Sequence, residues 1–208
     1  MIKKVLIWPD PKLRKASKEV TVFDEKLTQL IIDLHQTMKE YDNKPHLPDC
    51  AGLAAPQIGV HQRVFVYKMK GEGTCMINPV ILEQEGEQYE SEGCLSFPGV
   101  FIKVHRANRI LVEFQDVDGN KNRLRTDGFV SRIIQHEINH LDGVTYLHAL
   151  SQVKRDLITR KLKKVQKRVA EQERQFNEWK QRMFAEADSG NDNPGGDTRG
   201  SSETKESL

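Results

Sequence analysis

The chain has 208 residues, a length that fits one domain with an appendage. Apolar residues make up 37% and charged residues 30%. This composition is sufficient for one hydrophobic core, but the high charged fraction indicates that part of the chain lies outside that core. The net charge of +2 is too small to indicate DNA binding, and no apolar stretch approaches the length of a membrane span. The short apolar run before Pro9 is not a signal-peptide core, so we expect a cytoplasmic protein whose three cysteines are free or metal-bound.

The first predicted elements are a helix and a series of strands. Apolar residues recur at helical spacing over residues 24–40, and Asp24 is placed to cap the start of this helix. A loop is predicted over residues 42–49. Much further along the chain, Asp118-Gly119 predicts a hairpin turn between two strands. Strand-like runs rich in β-branched and aromatic residues occupy residues 63–69, 76–82, 100–104 and 109–114, and another follows the turn near 121–125.

A second helix is predicted where helical spacing resumes at Phe129, with Gly143 as a suitable stop. This helix carries H-E-I-N-H at residues 136–140. Positions i and i+4 lie on one face of a helix, so both imidazoles can reach one metal ion. The Glu beside the first His can then handle the proton of a metal-bound water, and the pattern indicates metal-assisted hydrolysis of an amide.

A long amphipathic helix is predicted after Ser151, with a nearly heptad apolar seam from Ile158 to Met183. Residues 151–182 hold eleven basic and four acidic side chains, whereas residues 183–208 hold two basic and six acidic ones. Residues 188–208 are rich in Gly, Ser, Asp and Asn and are predicted to be disordered.

The order of these elements indicates an α+β fold. We expect mostly antiparallel sheets packed around a central helix that bears the H-E-x-x-H, followed by a long C-terminal helix. The predicted organisation is a catalytic domain over residues 1–150, a basic amphipathic helical extension over 151–187 and a disordered tail over 188–208.

Two histidines do not complete a metal site, because a catalytic site of this type takes three protein ligands. The metzincin pattern would place a third His at position 146, where the chain has Tyr146. A downstream Glu, as in thermolysin-like enzymes, is absent between Glu137 and Glu171. The remaining soft donors are the three cysteines, and a thiolate at Cys94, in the segment E-G-C-L-S, could close the set, although a buried free thiol is an alternative role for it.

Three segments together resemble the signature of the peptide deformylase family. They are G-L-A-A-P-Q-I-G at residues 52–59, E-G-C-L-S at 92–96 and Q-H-E-I-N-H at 135–140. They occur in the family's order and at similar separations, and the likeness runs from about residue 5 to residue 150. The H-E-x-x-H alone is unspecific, but the three segments in order are specific.

This resemblance implies an enzyme that removes the formyl group from the N-terminal formyl-methionine of newly made polypeptides and releases formate. By similarity, Cys94, His136 and His140 bind one divalent metal, natively Fe²⁺, with Zn²⁺, Ni²⁺ or Co²⁺ as alternatives. A metal-bound water attacks the formyl carbon with Glu137 as the general base.

The resemblance also assigns residues around the reacting group. Gln57, through its side-chain amide, and Leu95, through its backbone N–H, would stabilise the developing oxyanion. Gly52 would bind the substrate backbone in a strand-like way. We also expect Phe129 and Ile133, one to two turns before His136, to form walls of an apolar pocket for the methionine side chain.

Some positions depart from the family's pattern. Asn139 stands where the family more often has Asp, Cys50 and Ala51 precede Gly52 in place of a Gly and a larger aliphatic residue, and Phe101 replaces a basic residue common in bacterial members.

Two rival functions remain: a different metallohydrolase, and a ribosome- or RNA-binding protein that kept the fold without catalysis. The basic helix either packs on the body or docks on the ribosome.

Overall fold

The computed structural model describes residues 1–42, 50–69 and 72–189. Within these ranges the chain forms three helices and seven strands. In chain order they are α1 (Glu25–Asp42), β1 (Gly52–Ala54), β2 (Val64–Met69), β3 (Glu72–Glu85), β4 (Gln88–Glu92), β5 (Ile102–Arg106), β6 (Arg109–Gln115), β7 (Lys121–Asp127), α2 (Gly128–Leu141) and α3 (Gln152–Ser189).

The strands form two antiparallel sheets in the described part of the chain. Five of them lie side by side in the order β1-β2-β3-β6-β7, and β4 pairs with β5 in a separate two-stranded sheet. Helices and antiparallel sheets together confirm the α+β class. Because β1 is an edge strand, one side of its backbone is available for pairing with another extended chain.

Strand β2 has both faces buried, and this places helices on either side of the larger sheet. Side chains alternate across a strand, so Val64 and Val66 point to one face while Phe65 and Tyr67 point to the other. The first pair belongs to a core cluster that contains apolar residues of α1. The second pair belongs to a cluster with Ile134 and other apolar residues of α2, so the helix bearing the H-E-x-x-H packs directly on the sheet.

Local signals set the ends of these helices. The Asp24 side chain accepts hydrogen bonds from the backbone N–H groups of Lys26 and Leu27, both at 3.0 Å, and so caps α1 as predicted. After α2 ends, Gly143 adopts a φ of 70°, a left-handed conformation that favours glycine. A Cβ at this position would also lie 2.7 Å from the Arg14 carbonyl oxygen, so the N-terminal region and the end of α2 pack too closely for any side chain.

The strands predicted at residues 63–69, 76–82, 109–114 and 121–125 are confirmed as β2, β3, β6 and β7, and the run predicted at 100–104 overlaps β5, which begins at Ile102. The predicted turn at Asp118-Gly119 joins β6 to β7. Two strands in the described ranges were not predicted: β1, which has three residues, and β4, which is mostly exposed and polar. The predicted loop falls largely on residues 43–49, outside the described ranges.

The start of α3 is part of the body rather than a separate arm. Residues Met1–Gln166 form one compact unit, which includes the first turns of α3. Leu162 is completely buried in a cluster that also contains Cys94, Phe97 and Tyr146.

A second compact unit begins at Lys167. In it α3 continues to Ser189, two residues into the predicted tail, and Arg174 forms an ion pair with Glu171 at 2.6 Å. Residues 190–208 of the predicted tail lie outside the described ranges. Among the residues that are described, no helix combines the length and apolar character needed to cross a membrane.

Replacing Leu162 with Ala should test whether α3 contributes to the core. Loss of this fully buried side chain should lower the free energy of unfolding by about 2–5 kcal/mol, because it removes apolar burial and leaves a cavity. Denaturant-induced unfolding of the full chain measures the change. The matched control is Leu157→Ala on the same helix, where the side chain is 59% exposed and the expected change is within about 0.5 kcal/mol. Equal effects of the two substitutions would contradict the packing described here.

Candidate metal centre and active site

Three side chains that the sequence pattern selected meet at one point. Cys94 lies in the loop after β4, and His136 and His140 lie one turn apart on α2. The Cys94 Sγ is 3.3 Å from the His140 Nε2, and one donor atom from each of the three residues lies within 4.8 Å of the others. Sulfur and nitrogen ligands of a tetrahedral ion at zinc-like bond lengths are separated by about 3.5 Å, so the spacing fits a metal ion.

The electrostatic surroundings of the His136 and His140 rings also suit a bound metal cation. Burial holds the pKa of His140 well below its ordinary value, which keeps this imidazole neutral and able to act as a ligand. Burial also lowers the pKa of His136, but hydrogen bonds with Cys94 and Glu92 outweigh it and raise that pKa to about 10. The surroundings of His136 therefore favour a positive charge, which a divalent ion would supply.

Glu92 orients the first histidine, a role that the sequence reading missed. Its Oε2 lies 2.9 Å from the His136 Nδ1. Burial raises the pKa of Glu92, but its bonds with His136 and Arg106 outweigh this and hold the pKa at about 2. The ionised carboxylate therefore accepts the Nδ1–H, which leaves Nε2 for a metal. The sequence offered one indication of this role, because Glu92 is the first residue of the E-G-C-L-S segment, two residues before Cys94.

Arg106 connects Glu92 to the unusual residue of the H-E-x-x-H segment. It donates two hydrogen bonds to the Glu92 carboxylate, both at 2.9 Å, and a third from Nη1 to the Asn139 Oδ1. An Asp at position 139 would offer the same acceptor with a negative charge. The Asn139 side-chain amide therefore preserves the hydrogen bond to Arg106, which in turn is bonded to Glu92 and through it to His136.

Gln57 lies beside the three possible metal donors. It sits in a 3₁₀ turn, Ala55–Ile58, and is buried. Its Oε1 accepts a hydrogen bond from the Ala54 N–H at 2.8 Å, which turns the amide nitrogen toward the Cys94 Sγ at 3.4 Å and the Ser96 Oγ at 3.2 Å. Leu95 follows Cys94 directly in the same loop and is 8% exposed.

Glu137 and Gly52 are in close contact. Glu137 is buried, and its Oε2 has no hydrogen-bond partner among the described residues. A Cβ at Gly52 would lie 2.6 Å from the Glu137 Oε1, so a side chain at this position would displace the carboxylate. Burial raises the pKa of Glu137 to about 7, a value suited to accepting and returning a proton near neutral pH.

A cavity of about 140 Å³ opens onto these residues. Both predicted pocket residues line it, but in different ways: Ile133 is a buried wall, whereas Phe129 is 61% exposed and lies at the rim. The departures Cys50, Ala51 and Phe101 line it as well, together with Arg132, which was not singled out from the sequence. The Phe101 ring lies against Gly93, where an added Cβ would approach its Cε1 to 2.6 Å.

The chain matches the family model described as polypeptide deformylase over residues 2–156. It is 40% identical over 172 residues to a peptide deformylase of Acidobacterium capsulatum, covering 80% of this chain and 97% of that protein. It is 42% identical over 166 residues to the one of Chromobacterium violaceum, covering 78% and 95%.

Solved structures agree with these sequence matches. The crystal structure of a peptide deformylase from Legionella pneumophila superposes with a TM-score of 0.74 at 38% identity, covering 82% of this chain and 98% of that one. A peptide deformylase from Ehrlichia chaffeensis, solved in complex with actinonin, gives a TM-score of 0.72 at 35% identity, covering 78% and 96%.

Replacing Glu92 with Gln should weaken metal binding. The change keeps the size of the side chain but removes the charge that holds His136 and Arg106, and such outer partners typically contribute 10- to 100-fold to metal affinity. Competition with a chromophoric chelator for Zn²⁺ measures the affinity. Glu85→Gln is the control, because that carboxylate is 53% exposed and pairs with Arg109 at 3.6 Å, away from the site. Unchanged affinity in Glu92→Gln would contradict the orienting role.

Proposed function

The chain belongs to the polypeptide deformylase family, and from this premise we propose which of its residues perform the family's reaction. It is a metal-dependent hydrolase that removes the formyl group from the N-terminal formyl-methionine of newly made polypeptides and releases formate. In our proposal Cys94, His136 and His140 hold the metal and Glu137 moves the proton. The observation that supports this best is the convergence of these three donors beside a buried carboxylate.

We propose Fe²⁺ as the native ion, with Zn²⁺, Ni²⁺ and Co²⁺ as ions that the same donors accept. One thiolate and two imidazoles suit all four, and intrinsic affinity does not decide which ion a protein carries. When bound, the metal activates a water molecule as a nucleophile at neutral pH.

Glu137 is the proposed general base and acid. It takes a proton from the attacking water as the water oxygen bonds to the formyl carbon. It then returns that proton to the amide nitrogen, the C–N bond breaks, and formate and a free amino terminus leave. The absence of a side chain at Gly52 supports this role, because it leaves the carboxylate room beside the proposed metal ligands.

Gln57 and Leu95 are the proposed donors to the oxyanion. The amide nitrogen of Gln57 carries two hydrogens, and its Oε1 is already held by the Ala54 N–H, so the donor side faces the site. Leu95 contributes its backbone N–H next to Cys94. Loss of one such donor typically raises a barrier by about 2.7–4 kcal/mol.

The substrate chain is proposed to lie along β1, where Gly52 leaves its edge open for strand-like pairing. The methionine side chain would enter the cavity between Ile133 and the rim at Phe129. Phe101 and Phe129 are 57% and 61% exposed at this rim, which favours apolar contacts with residues that follow the methionine.

The rival functions have less support. A true peptidase of the metzincin type would need a histidine where Tyr146 stands, and that side chain instead donates a hydrogen bond to the Val100 carbonyl at 3.1 Å. A binding protein without catalysis is not supported by the matched relatives, which are peptide deformylases.

We further propose that α3 brings the enzyme to the ribosome in the cytoplasm, where formylated chains emerge. The support is the charge of the helix, since its exposed basic side chains match a phosphate-rich surface. Between residues 152 and 168 they are Lys154, Arg160, Lys161, Lys163, Lys164, Lys167 and Arg168.

Formate release from a formyl-Met peptide, measured anaerobically with metal analysis, tests the activity. Wild type should turn over, and Glu137→Gln should keep its metal while kcat falls by about 10²–10⁴-fold. Glu87→Gln, an exposed carboxylate outside the cavity, should behave as wild type. A metal-loaded wild type without turnover would overturn the proposed function, and a Glu137→Gln variant near full rate would overturn the general-base role alone.

Ribosome co-sedimentation tests the docking proposal. A full-length variant with Lys163, Lys164 and Lys167 changed to Glu should bind more weakly than wild type, and wild-type binding should weaken steeply as salt rises. Charge reversal suits this test better than removal of residues after 150, because Leu162 is part of the core. The matched control changes three exposed lysines elsewhere, Lys15, Lys26 and Lys39, to Glu. Equal loss in both variants would indicate a general charge effect and refute docking through α3.

A further inference from the structure

The N-terminal residues 6–8 join the two loops that carry the proposed oxyanion donors. The Leu6 N–H donates to the Gln57 carbonyl at 2.7 Å, and the Trp8 N–H donates to the Ser96 carbonyl at 2.9 Å. We propose that this segment, here called the strap, sets the separation of the two loops and that α3 holds the strap in place through Thr159 and Gln166. This inference rests on the proposed roles of Gln57 and Leu95.

Helix α3 binds the strap at two consecutive residues. The Gln166 Nε2 donates to the Ile7 carbonyl at 2.7 Å, and the Trp8 Nε1 donates to the Thr159 Oγ1 at 2.9 Å. Leu6 and Trp8 thus point their N–H groups at the site loops, while the Ile7 carbonyl between them accepts from Gln166 of α3 and also from the Asp10 N–H at 3.1 Å. The strap is therefore fixed from both sides.

The helix face that makes these contacts is the buried one. Thr159, Leu162 and Gln166 follow the i, i+3, i+7 spacing of one face, and Leu162 is fully buried between the two hydrogen-bonding residues. The geometry leaves α3 little freedom to slide along the strap, because any shift would break both hydrogen bonds and unpack Leu162.

The Trp8 ring extends the same connection toward the metal ligands. It stacks on Phe97 with ring centroids 5.7 Å apart, and Phe97 packs on Tyr146 at 4.9 Å. Tyr146 in turn lies 5.7 Å from the His136 ring. Phe97 is in the same loop as Cys94 and Leu95. Trp8 therefore contacts this loop twice, with its backbone N–H at Ser96 and with its ring at Phe97.

A small displacement of the strap would matter for the reaction. Gln57 and Leu95 stand on different loops, and an oxyanion must meet both donors at hydrogen-bond distance. Misplacement by about 1 Å can lower a rate by as much as 10²-fold. Thr159 and Gln166 are thus positioning residues that touch neither metal nor substrate.

The test uses the full-length, metal-loaded protein with Thr159→Val and Gln166→Leu combined, changes that keep side-chain size but remove the two bonds. We expect kcat to fall on the order of tenfold, with KM within about twofold and metal content unchanged. The Leu6 and Trp8 amides should exchange with deuterium about tenfold faster, and the Leu95 amide resonance should shift. Thr159→Ser with native Gln166 keeps the hydroxyl and should retain wild-type kcat.

Gln152→Leu is the matched control, because this exposed residue of α3 bonds within its own helix to Asp156. It should leave kcat and the strap amides unchanged. Unchanged exchange and kcat in the double variant would refute the proposal, and so would a kcat loss that only follows loss of metal. If wild type lacked turnover, the proposed function would fail, while the exchange rates and the Leu95 resonance would still decide whether α3 holds the strap.

Discussion

The buried ion pair between Glu92 and Arg106 is the interaction on which the proposed metal centre depends. Both side chains are almost inaccessible to solvent, at 4% and 8% exposure. A carboxylate at that depth is stable only when it is fully paired and hydrogen-bonded. Arg106 supplies two of its bonds and His136 another, so the group that neutralises the arginine also fixes the tautomer of a proposed metal ligand.

The packing of α2 explains why the donor atoms hold their positions. Its apolar face lies on the larger sheet, against the Phe65 and Tyr67 side of β2, and Leu141 near its end is completely buried. A helix packed in this way presents residues 136 and 140 toward the loop after β4 without freedom to rotate. The proposed metal donors thus come from one rigid element and one loop, and the loop needs its own restraints.

Those restraints come from parts of the chain that are distant in sequence. Gln57 contacts Cys94 and Ser96 with its side chain, the N-terminal strap bonds the backbone of both loops, and α3 contacts the strap. The first turns of α3 therefore belong to the catalytic body in packing, although their composition resembles a solvated basic arm. A charged face and a buried face coexist on this helix, and composition averaged over both conceals the buried one.

The sequence by itself determined the chemistry. The spacing of His136 and His140 on a helix, the failure of the usual third ligands and the presence of E-G-C-L-S together pointed to Cys94 and to the family. Apolar periodicity also identified the three α-helices, and runs of β-branched and aromatic residues identified five of the seven strands in the described part of the chain. The other two strands, β1 and β4, are respectively too short and too polar to show such a run.

Only the tertiary structure decided which residues support the site. The roles of Glu92, Arg106 and the strap depend on contacts between segments far apart in the chain, and such contacts leave no periodic trace in a single sequence. Asn139 illustrates the difference: in the sequence it is a departure from a motif, whereas in the fold it is an acceptor for Arg106. Local spacing encodes which atoms can bind a metal, but packing between distant segments determines how firmly they are held.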